Sequence, residues 1–509
     1  MMRHRNPFSR QRWLQALLAG SALVCAAPSF AQNVAINGTT ETVPSVLRGS
    51  AWDMTGTLRV GDTADGALQI NSGGEVSNTT GYIGYSNGVT GTATVNGSNS
   101  LWKMPGTSLF VGYFGTGVLN ITAGGDISNS GAAIGHAAGS SGTATVSGAG
   151  SQWQINGAIT VGRSGTGTLE ISDGGLVSSL YGYIGGDTQL GSSGAGGGTG
   201  VVTVSGANSK WSNSGVIHLG NDGTGTLNIG AAAVDPAAEP GIVDAPGVIF
   251  DPGTGDLVFN HTSGNYPFAP VITGGAGATS AAVDVVAGTT VMLGASNYYG
   301  QTTVYGGAVL AAGRAGALSP NSDYDVQADG TLNLLGFSQT VGSLKHAAGS
   351  INMDAAAPAQ PGGTTLTVNG NYTGGGALAM GGALNNTSID VLHVKGDTSG
   401  TTTITYTGRA GMLTPKGTDG ILVVQVDGAS NGTFQLAASP LTVDGFNFTL
   451  AKGTLPGNTK NWYLTTTPLF GGPFPTASAA AVPTLNEVAL VLLALLLAGG
   501  AVLRMRRAR

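Results

Sequence analysis

Apolar and polar residues alternate at every second position along most of the chain, as in Thr143-Ala144-Thr145-Val146 and Leu169-Glu170-Ile171. A period of two, rich in Thr, Val and Ile and bounded by glycine, predicts short strands that bury one face. Helices are disfavoured: 88 glycines among 509 residues leave almost no window free of them, and each interior glycine costs a helix about 1 kcal/mol.

The alternating segments also recur. "VGYFGTGVLNITAGGDIS" at 111–128 returns as "VGRSGTGTLEISDGGLVS" at 161–178. Gly73-Gly74, Gly124-Gly125 and Gly174-Gly175 are spaced by 51 and 50 residues, and Trp52, Trp102, Trp153 and Trp211 close successive units. The longer last step follows from a Gly/Ser-rich insertion at 185–198, and insertions of that kind belong in loops. Each unit of about fifty residues has two similar halves, one built on VGxxGTGxLxIxxGG and the other on IGxxxGxxGTATVxGxxSxW. A half-unit of roughly 25 residues is too small to bury its own apolar face, so the pattern predicts stacked coils. The expected fold is all-β, a right-handed parallel β-helix on the order of 90 Å long at about 4.8 Å per coil. Glycine is needed at the corners, where φ turns positive or backbones nearly touch.

The two ends read differently. Arg3, Arg5, Arg10 and Arg12 precede an apolar run from Trp13 to Ala27, and Ser29-Phe30-Ala31 supplies a small-x-small site. This predicts a signal peptide over 1–31, cut between Ala31 and Gln32 by signal peptidase after export by the Sec machinery. Cys25, the single cysteine, leaves with it, and Val24 is too large for the usual lipoprotein cleavage site. The mature chain then has no disulfide and no thiol chemistry. At the other end an uncharged run from Val488 to Leu503 meets Arg504, Arg506, Arg507 and Arg509. A hydrophobic helix there is slightly short of the roughly 20 residues of a full span. The arginines predict a cytoplasmic C-terminus and an anchor, transient or permanent, in the inner membrane.

Between those ends, residues 32–482 hold 12 basic against 25 acidic side chains. Such a surface excludes nucleic acid as a partner, because phosphate contact needs positive charge. Only 9% of all residues are charged, so the outer face must be largely Thr, Ser, Asn and Gly.

Several stretches resemble known families. Pro483-Thr484-Leu485 after Val482, followed by an apolar run and an arginine cluster, resembles the IPTL-type C-terminal sorting domains of Gram-negative bacteria. That resemblance implies processing by an exosortase-type enzyme, although the family has Ile where Val482 stands and Trp-Gly where this chain has Val488-Ala489. Residues 289–344, with Asn297 to Gly300 before Thr302 to Val304, resemble the autotransporter-associated β-strand repeat. Residues 417–453 with "NWYL" at 461–464 resemble the C-terminal part of autotransporter passengers, which implies a capping segment that helps the rod fold after export. The concentration of Val423, Val424, Val426, Phe434, Phe446, Phe448 and Trp462 suits a cap over the open end of a glycine-rich solenoid. The tryptophan units are similar to repeats shared by type V secretion passengers and surface proteins with sorting tails. An autotransporter would continue into a membrane barrel of well over two hundred residues, and about forty remain, so export by that route is not expected.

The expected organisation is a signal peptide (1–31), a tryptophan-repeat solenoid (32–230) and a Pro/Ala-rich junction (231–247). There follow an autotransporter-associated strand region (248–350), a passenger-type cap (351–466), a linker (467–481) and a sorting tail (482–509).

Candidate chemistry is sparse. The tryptophans are either a sugar-stacking stripe or the packing of one coil on the next. His4, His136, His218, His261, His346 and His393 stand singly, without ligand spacing, and no metal or cofactor is expected. "GNDGTG" at 220–225 reads as a turn, because a calcium nonapeptide would have to recur. Asp323 and Asp325 are either paired carboxylates or turn caps. No HExxH or phosphate-loop string occurs. The leading expectation is a non-enzymatic exported β-solenoid, an adhesin or matrix component that meets surface glycans or host and matrix molecules through many weak contacts. A polysaccharide-active enzyme on the same scaffold and a barrel-less relic of an autotransporter remain as alternatives.

Overall fold

A computed structural model describes residues 33–43, 51–187, 197–278, 280–353, 363–384, 388–410, 419–443 and 446–468. Among them every regular element is a β-strand. The signal peptide with Ala31 and Gln32, the motif Val482 to Leu485, the apolar run and Arg504, Arg506, Arg507 and Arg509 lie outside the described residues. No helix among the described residues is long and apolar enough to cross a membrane.

The strands wind into a parallel β-solenoid. One coil shows the construction: Thr116–Thr122 forms one side, and Asp126–Ile134 then bends at Asn129/Gly131 to form two more before Ser141–Ser147 opens the next coil. Thr116 pairs with Ser141 and Thr122 with Ser147, in register and parallel. The three sides are named here for what they carry: threonine, tryptophan and aromatic. Fifteen strands continue along the threonine side from Thr40–Val43 to Thr398–Ser399, about 70 Å at roughly 4.8 Å per rung. The rod is shorter than the 90 Å expected because coils lengthen locally and the C-terminal residues do not add rungs. Thr166 pairs with Thr199 rather than with a residue 25 later, which puts the insertion in a loop between coils. Both sheets run on through 231–247, where Ile242–Asp244 and Gly247–Phe250 take places in the ladder.

Period-two alternation becomes burial directly. Leu119, Ile121, Leu169 and Ile171 are fully buried, while Thr116, Ser141 and Thr166 between rungs face out. The corner glycines answer a steric demand. Gly162 has φ +71°, and a Cβ there would lie 2.1 Å from the carbonyl oxygen of Thr199 in the next coil.

The tryptophan side has its own code. Pairing runs Trp52, Val76, Trp102, Ile127, Trp153, Val177, Trp211, Val243, so each indole lies between aliphatic rungs. Trp102, Trp153 and Trp211 are 0% exposed. A buried indole N–H needs an acceptor, and the preceding coil supplies it: Trp102 donates to Asn78 Oδ1 (2.6 Å), Trp153 to Asn129 Oδ1 (2.7 Å) and Trp211 to Ser179 Oγ (3.3 Å). The serine of GxxSxW is equally fixed. Ser151 Oγ accepts from Gly124 N of the coil before and donates to Ser147 O of its own, and Ser100 repeats this with Gly73 N and Asn96 O.

Toward the C-terminus the sheets re-sort, and parallel pairing ends in a cap. Ile421–Val426 takes Trp462–Pro468 antiparallel, which pairs with Phe446–Lys452 and then Leu441–Val443. Val423, Val424, Val426, Phe434 and Phe448 are buried and Phe446 and Trp462 half-buried, so the cap closes the apolar channel.

Candidate functional site

The outward positions of the aromatic side carry the most unusual chemistry. They fall in two columns. The first follows the ladder itself: Arg59, Tyr82, Phe110, Ala133, Thr160, Tyr183 and His218 are successive register partners. The second occupies the residue after each corner glycine and includes Tyr85, Tyr113, His136 and Arg163. Parallel in-register pairing sets like positions about 4.8 Å apart, which is a stacking distance for rings.

The rings use it. Tyr82 stacks on Phe110 (centroids 5.1 Å, 8° between planes), Tyr85 on Tyr113 (5.3 Å, 9°) and Tyr113 on His136 (4.6 Å, 14°), with edge-to-face contacts between the columns. Cations close both ends. The Arg59 guanidinium sits 3.9 Å from the Tyr85 centroid, a favourable place over the negative ring face, while Arg163 approaches His136 Nε2 at 3.3 Å. Burial, and after it the neighbouring Arg163, hold the His136 imidazole down at about 4. It is therefore neutral at pH 7, and the guanidinium, nearly as close to Nδ1 (3.4 Å) as to Nε2, lies over the imidazole face. Because ring faces are spent on each other along the rod axis, the stack presents edges and phenol hydroxyls to solvent. Phe114, edge-on to Tyr113 at 4.5 Å, projects beyond it and is 46% exposed.

Farther along the same side, Tyr183 stacks on His218 (4.7 Å, 8°), whose Nδ1 lies 2.9 Å from Asp251 Oδ2. Asn221 also donates to Asp251 (2.8 Å), and Asp187 faces Arg163 Nε at 3.9 Å. These carboxylates are engaged within the rod, and Asp187 also accepts from the buried Thr160 hydroxyl at 3.4 Å.

The residues weighed from sequence fall as follows. The buried tryptophans are coil packing and present no face to a sugar. They also do not stack on each other, since aliphatic rungs separate them. Asp325 receives Lys345 Nζ at 2.9 Å, and Asp323 Oδ1 accepts the Ser343 backbone N–H at 2.9 Å, so the pair acts as ion-pair partner and cap. Asp222 sits in a turn at φ +63°. His261 and His346 are interior groups bonded to Thr290 (2.9 Å) and Tyr372 (2.5 Å), His393 meets Asp427, and His4 lies outside the described residues. No group of three His, Cys, Asp or Glu positioned to hold a metal ion occurs among the described residues. The Asn297–Gly300 turn has a clear logic: the Tyr298 hydroxyl bonds Thr302 Oγ1 (2.6 Å), which bonds Ser322 Oγ (2.7 Å), all buried. The aromatic stack escaped the sequence reading, although the residue following each Val-Gly or Ile-Gly pair carries its signal.

Comparison with known proteins agrees with this architecture. Residues 339–450 match the autochaperone domain type 1, and residues 480–507 match the IPTL-CTERM motif. The chain is 40% identical over 108 residues to the autotransporter adhesin AIDA-I of Escherichia coli, covering 20% of this chain and 8% of that one. It is 39% identical over 117 residues to the adhesin BmaC autotransporter of Brucella suis, covering 21% and 3%. It is also 40% identical over 109 residues to the uncharacterized protein YdeU of Escherichia coli K12, covering 20% and 22%. In each case the match spans less than a quarter of the relative's length. The chain is an autotransporter-passenger-like β-solenoid with an autochaperone-type segment and an IPTL-type C-terminal motif.

Proposed function

We propose that this chain is an exported passenger rod, non-enzymatic, that acts at the cell surface or outside the cell as an adhesin or matrix component. The observation that carries the reading is the aromatic side: stacked Tyr82, Tyr85, Phe110 and Tyr113 fix a ridge of phenol hydroxyls and the exposed Phe114 on a rigid scaffold. Such a ridge suits repeated weak contacts with surface glycans or host and matrix molecules, where avidity grows with the number of contacts. The adhesin relatives support this class of role. Export through the Sec machinery, cleavage by signal peptidase between Ala31 and Gln32, a transient inner-membrane anchor and trimming near Val482 by an exosortase-type enzyme complete the proposal.

Two measurements test it. Cell fractionation with mass spectrometry of the mature C-terminus distinguishes release near Val482 from a retained Arg509 in the inner membrane. Beads coated with the exported rod should bind producing cells or host matrix, and Tyr85→Ser, Tyr113→Ser and Phe114→Ser together should abolish that binding. Binding unchanged in the triple variant would remove the aromatic ridge from the mechanism.

A further inference from the structure

The threonine side carries a second surface of a different kind. Six successive rungs, paired parallel and in register without a bulge, place Thr90, Thr116, Ser141, Thr166, Thr199 and Thr224 in one outward column. Two residues along each strand, Thr92, Val118, Thr143, Thr168, Val201 and Thr226 form the second column. Neither column contains a charged residue, whereas the tryptophan side bears Lys103–Glu75 and Lys210–Asp244 ion pairs between its coils. Between the two columns each strand turns a glycine inward, from Gly91 to Gly225, and a third column of register partners, Thr94, Asn120, Thr145, the exposed Glu170, Thr203 and Asn228, runs alongside.

The hydroxyls of this grid are free. No side-chain hydrogen bond engages Thr92, Thr116, Thr143, Thr166, Thr168 or Thr226 among the described residues, and each is open to solvent. Hydroxyls elsewhere in the fold are used: Ser100 and Ser151 clamp turns, and Thr302 and Ser319 hold the strand-repeat tyrosine. An array of unused donors and acceptors with fixed spacing is a template for something that repeats at the same spacing.

That spacing is set by backbone geometry alone. Rungs repeat about every 4.8 Å and alternate residues along a strand about every 6.7 Å, close to the two oxygen repeats on a prism face of hexagonal ice. An isolated hydroxyl gains nothing from ice over liquid water. A rigid two-dimensional grid differs, because waters bound to neighbouring hydroxyls are already ordered at positions the crystal needs. Threonine suits the task twice, its hydroxyl bonding a lattice water while its methyl excludes disordered water. Val118 and Val201 keep that methyl outline. The two columns are themselves neutral, as an uncharged crystal face requires, and Glu170 in the neighbouring column marks the edge of the grid.

We propose that the threonine side, from Thr90 to Thr226, binds the surface of ice, giving the rod an ice-adhering function independent of its aromatic side. The test uses the protein recovered from the medium or surface of its own cells. Thermal hysteresis, crystal shape and adsorption to a growing ice surface are measured for wild type and for Thr143→Tyr with Thr168→Tyr, whose rings would prop the lattice away from the grid. Gln154→Tyr, on the tryptophan side, is the control. Wild type and the control should shape crystals and lag the freezing point, and the tyrosine pair should behave as buffer. Thr143→Ser with Thr168→Ser keeps fold and hydroxyls while losing both methyls, and its hysteresis should fall below wild type, which covers the case in which the larger rings unfold the rod. Ice growing in wild-type protein as in buffer overturns the proposal. So does hysteresis that survives both threonine pairs, or retention on an insoluble polysaccharide such as cellulose with no effect on ice.

Discussion

The indole N–H of Trp153 donates to Oδ1 of Asn129 at 2.7 Å, across the gap between one coil and the one before it, with both side chains buried. Each coil with an aliphatic rung therefore carries an acceptor that has no use until the tryptophan coil after it arrives. Asn129→Ala leaves that N–H without a partner in an apolar channel and should cost about 1–3 kcal/mol. Trp153→Ala also opens a cavity and should cost roughly 3–5 kcal/mol. Urea midpoints of the two single variants and the double check this, and the double should fall short of the sum because the partners share one interaction.

Gly139 and Gly162 separate two reasons for glycine. Both have positive φ, +81° and +71°, but a Cβ on Gly139 meets nothing within 4 Å while one on Gly162 would lie 2.1 Å from a backbone oxygen. Gly139→Ala should cost about 1–2 kcal/mol for the left-handed backbone alone. Gly162→Ala must in addition push two coils apart, and a markedly larger drop in melting temperature is expected for it.

His346 makes the C-terminal half acid-sensitive. Burial holds its imidazole down at about 4 despite a helping hydrogen bond to the Gly349 carbonyl, against about 6.5 in an unfolded chain. The folded state favours the neutral form, so the stabilisation is complete above pH 6.5. It is withdrawn as the pH falls toward 4, by roughly 3 kcal/mol at most. Urea midpoints between pH 7 and pH 4 should decline in wild type and less steeply in His346→Gln, where His136, also held down at about 4, still contributes. An equal decline in both would assign the effect to other groups.

Phe434 joins cap and rod, stacking on Tyr372 (5.9 Å, 20°) and meeting Trp462 edge-on (5.5 Å, 67°). Phe434→Ala should cost about 3–5 kcal/mol, concentrated at the C-terminal end. Hydrogen exchange should show protection lost first in Ile421–Val426 and Trp462–Pro468, with the strands around Trp102 unaffected.

The sequence announces what is periodic and hides what is particular. Gly112, Gly162 and the tryptophans recur at constant spacing because every coil solves the same steric problem, and the strand period and coil length are legible from them. Asn78 and Asn129 are no less essential, yet a lone Asn reads as turn or surface until its partner one coil away is known. The aromatic side is harder still. Tyr85, Tyr113 and His136 are separated by about one coil in sequence, and only the in-register pairing, which propensity does not encode, sets them ring on ring. Residues 231–247 show the converse: a Pro/Ala-rich stretch without local periodicity whose ends still take their rungs, because neighbouring coils dictate the pairing.

Alternation of indole and aliphatic rungs gives the tryptophan side a parity. Loss of twenty-five residues by recombination would, depending on which coil is lost, set one indole directly upon another or put two aliphatic rungs together and strand an asparagine without its indole. Loss of fifty would leave the seam intact. Genes that build rods in this way should therefore grow and shrink by pairs of coils, and natural variants with an odd number should be rare or carry a compensating change at the join.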